Sequence, residues 1–132
     1  MVELIDHIGI AVPSLEPMIQ VFKTGLGIEH CEIEEVGSQK VRTAIFTIGD
    51  TRIELLEPTA KESPIAKFIE ERGVGIHHIA FRVRDIEEAI SRVKQSGMRM
   101  IDEKPREGVH GSKIAFIHPK SFGGVLVELV KR

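Results

Sequence analysis

Apolar and polar positions alternate through "IDHIGIAV" (residues 5–12), and the alternation returns in "IHHIAFRV" (76–83). A period of two marks a half-buried strand. The pattern then changes in the same way in both places. Ser14 and Asp85 are residues that start helices, and "LEPMIQVFKTG" and "IEEAISRVKQSG" follow them with helical spacing. Asp85 has Glu88 three positions on, a capping-box pattern. Gly25 and Gly97 read as the C-terminal stops. Strand-like runs come next: "KVRTAIFTIG" and "TRIELLEP" in the first half, "SKIAFIHP" and "GVLVELVKR" in the second. The plan is β-α-β-β-β written twice, an α+β fold. Between the halves, "SPIAKFIEERGVG" has Ser63 as N-cap, Pro64 in the first turn and Gly73 past the end, which predicts a short linking helix.

Each half holds about 60–70 residues, a size at which a lone core is marginal. The expected unit is therefore one domain, 1–132, made of modules at about 1–60 and 74–132 joined by a helix near 63–73. The two modules are expected to pack side by side over a shared core, around a shared cleft.

The strand phase assigns faces. Ile8, Ile10 and Val12 share one face of the first strand, and His7 shares the other with Gly9 and Ala11. Ile79, Phe81 and Val83 share a face, with His78 and Ala80 opposite, so His78 rather than His77 corresponds to His7. Each half ends with a glutamate between apolar neighbours: Glu54 in "IELLEP" and Glu128 in "LVELV". The step from His to Glu is 47 residues in the first half (7 to 54) and 50 in the second (78 to 128). A lone strand histidine is usually a packed or edge residue, and a lone strand glutamate usually faces water. Four such residues in matching phase require a common cause. A buried carboxylate is costly unless paired or bound to a cation. Two His and two Glu suit Mn, Fe, Co, Ni or Zn, and four protein ligands leave two positions of an octahedral ion for a chelating substrate.

Charge and cysteine content narrow the classes. The net charge of −2 argues against a nucleic-acid or acidic-membrane surface. The single cysteine, Cys31, cannot form an intramolecular disulfide, and no neighbouring base activates it as a nucleophile. No run is apolar enough for a membrane span and no export signal is evident, so a cytoplasmic location is expected. His30 is expected to be exposed, and "KPRE" to be a solvated loop.

The repeated module with one His-Glu pair per half resembles the vicinal oxygen chelate superfamily (glyoxalase/bleomycin-resistance/dioxygenase-like). Within it, the chain is similar to the methylmalonyl-CoA epimerases. The matching stretches are "IDHIGIAV", "IELLEP", "SPIAKFIEERGVGIHHIAF", "DEKPREGVHGSKIAFIHPKS" and "GGVLVELV", in order along nearly the whole chain. The resemblance implies an isomerase that interconverts (R)- and (S)-methylmalonyl-CoA by removing the C2 proton through an enolate. It implies His7, Glu54, His78 and Glu128 as metal ligands, with Glu128 and Glu54 as the bases, and a divalent metal, Co2+ first, then Mn2+, Ni2+ or Zn2+. It also implies a homodimer, while the net charge leaves no nucleic-acid or membrane partner expected. Some family members carry Gln at the position of Glu54 and a catalytic Glu at the position of Thr43; here either Glu54 takes that role, or a water or another side chain serves. His118, Lys120 and Ser121 of "HPKS", and His110 of "VHGSK", are candidate edges for the CoA tail. A glyoxalase I-like lactoylglutathione lyase and a non-catalytic small-molecule binder of the same fold are the alternatives. An extradiol dioxygenase would need only two His and one carboxylate, so Glu54 speaks against it.

Overall fold

A computed structural model describes all 132 residues. In chain order the elements are β1 (Val2–Ala11), α1 (Leu15–Gln20), β2 (Glu32–Val36), β3 (Val41–Ile48), β4 (Thr51–Pro58), α2 (Pro64–Arg72), β5 (Gly75–Val83), α3 (Ile86–Gln95), β6 (Arg106–Glu107), β7 (Lys113–Ile117) and β8 (Leu126–Lys131). The order β1-α1-β2-β3-β4, then β5-α3-β6-β7-β8, is the doubled β-α-β-β-β plan, with α2 as the linking helix. No helix is long and apolar enough to cross a membrane.

The chain divides into two compact units. One comprises Met1–His7 and His78–Arg132, the other Ile8–His77. The unit boundaries therefore fall at the two repeated histidines rather than between the halves of the repeat.

In the first unit, β5 pairs with β8 in parallel, β8 with β7 and β7 with β6 antiparallel. Helix α3 covers one face. Asp85 caps it, its Oδ1 accepting from Glu88 N–H at 3.1 Å. Ile86, Ala89, Ile90 and Val93, at helical spacing, are buried against Val83, Ala115, Ile117, Val127 and Leu129. Because side chains alternate across a sheet, this packing sends His78, Ala80, Leu126 and Glu128 to the other face.

In the second unit, β2, β3 and β4 form an antiparallel run. Leu15 and Ile19 of α1 pack on Ala44, Phe46 and Leu55. Ile65 of α2 packs on Ala11, Val41 and Leu56. The buried apolar side chains form one cluster within the first unit and two within the second. Each helix brings its own narrow stripe, and each stripe is filled by the strands beneath it.

Two helix ends differ from expectation. Ser14 starts α1 but makes no capping hydrogen bond. Glu57 of β4 does it instead: its Oε2 accepts from Leu15 N–H at 2.9 Å. A carboxylate there also meets the positive end of the helix. Gly25 is not the stop. It closes a π-helical turn, Val21–Gly25, and the left-handed residue is Gly27, with φ +69°. The wider turn is accompanied by an edge-on contact of Phe22 with Phe46, centroids 5.0 Å apart. Loss of the cap in Glu57→Ala is expected to cost about 1 kcal/mol, whereas Ser14→Ala should stay within about 0.5 kcal/mol. Urea unfolding of the two variants checks the contrast.

Candidate metal centre

Strands β1, β5 and β8 each deliver one side chain of the first unit to a common point. His7 Nε2 and His78 Nε2 lie 3.0 Å apart. Glu128 Oε1 is 3.6 Å from the first and 3.5 Å from the second. The three residues are 5%, 6% and 5% exposed. The sheet register explains the convergence: Glu128 stands opposite Ala80 on β5, and His78 opposite Leu126 on β8. The small side chain of Ala80 leaves room beside the carboxylate.

The triangle fits a divalent ion. Two donors each about 2.1 Å from one ion stand about 3.0 Å apart at a right angle and about 3.4 Å apart at the tetrahedral angle. The observed separations span 3.0–3.6 Å. Imidazole nitrogen with carboxylate oxygen is a donor set for Mn, Fe, Co, Ni or Zn. Two imidazoles and one carboxylate are also the set used by non-haem iron oxygenases, so this triangle alone does not separate those chemistries.

Sequence reading passed over Asp6, which is wholly buried beside this group. Its Oδ2 accepts from His7 Nδ1 at 2.7 Å and from Arg132 Nη2 at 2.6 Å. Its Oδ1 accepts from Arg82 Nε at 2.9 Å and Arg132 Nε at 3.2 Å. Burial opposes ionisation of Asp6, but the hydrogen bonds from His7, Arg132 and Arg82 outweigh it and hold the carboxyl well below the usual carboxylate range. A charged residue inside an apolar strand, next to the histidine, was the signal available. Its arginine partners lie 76 and 126 positions away, and nothing local announces them.

Phe116 on β7 stands opposite Glu128 and edge-on to His78, centroids 6.0 Å apart. The Arg106 guanidinium lies over its ring at 5.3 Å from the centroid and pairs with Asp102.

The group whose ligand atoms lie within 4.8 Å of one another is His7, His78 and Glu128, and Glu54 belongs to the second unit. It is half-buried on β4 of the second unit, paired across the strands with Ile45, as Thr43 is with Leu56. Glu54, Ile45, Thr43 and Leu56 thus share one face, and Thr43 is 5% exposed. The phase predicted for Glu54 against Ile53 and Leu55 holds: those two pack under α1.

The remaining candidates have separate environments. His110 is exposed on a turn with left-handed backbone, φ +55°. His118 caps a short 3-10 turn, its Nδ1 accepting from Lys120 N–H at 3.1 Å. Lys120 is exposed. Ser121 Oγ accepts from Arg99 N–H at 3.0 Å, so this hydroxyl already joins two loops. His77 packs edge-on to Phe68, and burial lowers its pKa to about 4. His30 is exposed. Cys31 is half-buried, and that burial raises its thiol pKa, which disfavours a nucleophile.

The chain is similar to known proteins along nearly all its length. An ethylmalonyl-CoA/methylmalonyl-CoA epimerase of Cereibacter sphaeroides is 40% identical over 98% of both chains. A mitochondrial methylmalonyl-CoA epimerase of Homo sapiens is 37% identical, covering 95% of this chain and 72% of that protein. A solved methylmalonyl-CoA epimerase in complex with methylmalonyl-CoA and NH4+ superimposes with a TM-score of 0.91 at 36% identity, over 99% of this chain and 95% of that one. The family described as the Glyoxalase/Bleomycin resistance protein/Dioxygenase superfamily matches residues 6–116, and the chain belongs to it.

Proposed function

We propose that this protein is a methylmalonyl-CoA epimerase, an isomerase acting on a CoA thioester, with its metal held by His7, His78 and Glu128 and by Glu54 as fourth ligand. The observation that carries the reading is the buried His7–His78–Glu128 triangle, in a chain that aligns with methylmalonyl-CoA epimerases along nearly all its length. A divalent ion bound there, Co2+ in our reading with Mn2+, Ni2+ or Zn2+ as alternatives, supplies Lewis-acid stabilisation of negative charge on the substrate oxygens. Epimerisation removes the proton from the carbon between thioester and carboxylate and returns one to the other face. Glu128 takes the first proton. The repeat gives Glu54 the corresponding place in the first half, and with it the second proton. Thr43 stands where some relatives carry a glutamate and has no carboxylate to offer.

The half-buried apolar side chains of Ile114, Phe116 and Leu126 share the Glu128 face of the sheet and limit water around an enolate. His118, Lys120, Ser121 and His110 remain our candidates for the CoA tail, Lys120 and His110 being the exposed ones. We infer a cytoplasmic homodimer that engages neither nucleic acid nor membrane; the net charge of −2 and the single cysteine support the setting.

The test is (S)-methylmalonyl-CoA in D2O with protein that has been chelated and then reloaded with Co2+, the C2 proton being followed by NMR. Deuterium entry with loss of chirality is expected, and ethylmalonyl-CoA is expected to exchange as well. Absence of exchange with every divalent metal would sink the epimerase reading, and turnover of a glutathione hemithioacetal in its place would move the chain to the glyoxalase I chemistry.

A further inference from the structure

His7 has two ring nitrogens with different neighbours. Nε2 faces His78 Nε2 and Glu128 Oε1. Nδ1 faces Asp6 Oδ2 at 2.7 Å. An ionised carboxylate only accepts hydrogen bonds, so at that distance Nδ1 must carry the proton. A neutral ring has one N–H, which leaves Nε2 as a bare lone pair. The clamp on Asp6 makes this arrangement directional. Arg82 and Arg132 donate to both carboxylate oxygens, and neither guanidinium can give up its proton. The carboxylate is therefore held as an acceptor, turned toward His7 and excluded from water.

We infer that Asp6, clamped by Arg82 and Arg132, is a positioning residue that sets His7 as its Nδ1–H tautomer and so presents the Nε2 lone pair to the metal. Its use for metal binding rests on the function proposed above, whereas the tautomer does not. Metal-ligating histidines commonly donate their other N–H to a carboxylate, and loss of such a partner typically costs 10–100-fold in affinity.

The substitution Asp6→Asn makes a sharp prediction. Asn has one oxygen, and the two guanidinium groups claim it. Its NH2 then faces His7 Nδ1 and donates to it, which forces the proton onto Nε2. The same exchange of acceptor for donor produces the wrong histidine tautomer in the serine-protease triad.

The experiment is 15N NMR of histidine-labelled, metal-free protein at a pH where imidazoles are neutral, paired with Co2+ titration by calorimetry. The wild-type chain is expected to show His7 as Nδ1–H. Asp6→Asn is expected to show Nε2–H and to bind Co2+ about 10–100-fold more weakly. An Nε2–H tautomer in the wild type, or an unchanged tautomer in folded Asp6→Asn, overturns the inference. The wild-type spectrum decides alone where Asp6→Asn does not fold. A tautomer that switches as expected in protein that binds no divalent ion leaves the inference standing and removes the metal reading instead.

Discussion

Glu128→Gln is expected to lower kcat/KM for methylmalonyl-CoA by about 10²–10⁴-fold, the usual range for loss of a positioned proton-transfer group. Glutamine keeps the shape of glutamate. The core face of β8, with Val127 3% and Leu129 2% exposed, is untouched, so the variant should fold with its sheet intact. What changes is chemistry. The amide cannot accept the C2 proton, and its oxygen is a weaker donor to a divalent ion than a carboxylate. Activity and metal affinity should therefore fall together. The two effects separate by measurement: exchange of the C2 proton in D2O at saturating Co2+ reads the base, and calorimetric titration reads the ligand. Undiminished exchange in fully loaded Glu128→Gln would take Glu128 out of the proton-transfer role while leaving it a ligand.

Three of the converging elements were legible because they rest on a period of two. The alternation in β1, β5 and β8 places His7, His78 and Glu128 opposite the apolar residues that meet the helices, and repetition of the pattern distinguished them from ordinary strand residues. Helices α2 and α3 were legible through Ser63, Pro64, Gly73 and the Asp85–Glu88 pair, since capping is decided within one turn. Strand β2 was not, because "EIEEV" is charged and mostly exposed, an edge strand without an apolar face. The cap of α1 was misread for a related reason: its acceptor, Glu57, is 42 residues away. The same limit hides the clamp on Asp6, which joins β1 to Arg82 and Arg132. Sequence pattern shows which way a side chain points. It does not show which distant charge meets it there.

Removing the metal is expected to abolish turnover and to lower thermal stability by an amount set by mass action. An ion bound by the folded state alone stabilises it by about 2.7 kcal/mol at a free concentration one hundred times its Kd. For a domain of this size that corresponds to roughly 10 °C in Tm. The geometry supports an effect of this size. Three buried donors already stand 3.0–3.6 Å apart, so little further ordering is needed on binding, whereas the unfolded chain scatters them along the sequence from position 7 to position 128. The shift should follow pH in one direction. Metal binding releases protons from the ligand groups, so the stabilisation shrinks as pH falls. Differential scanning calorimetry of chelated protein, before and after Co2+, Mn2+, Ni2+ or Zn2+, reads all of this directly. A Tm that none of the four ions raises would mean that the triangle is a buried hydrogen-bonded cluster. The two imidazoles would then be paired by one N–H between them, and proton abstraction would have to proceed on the side chains alone.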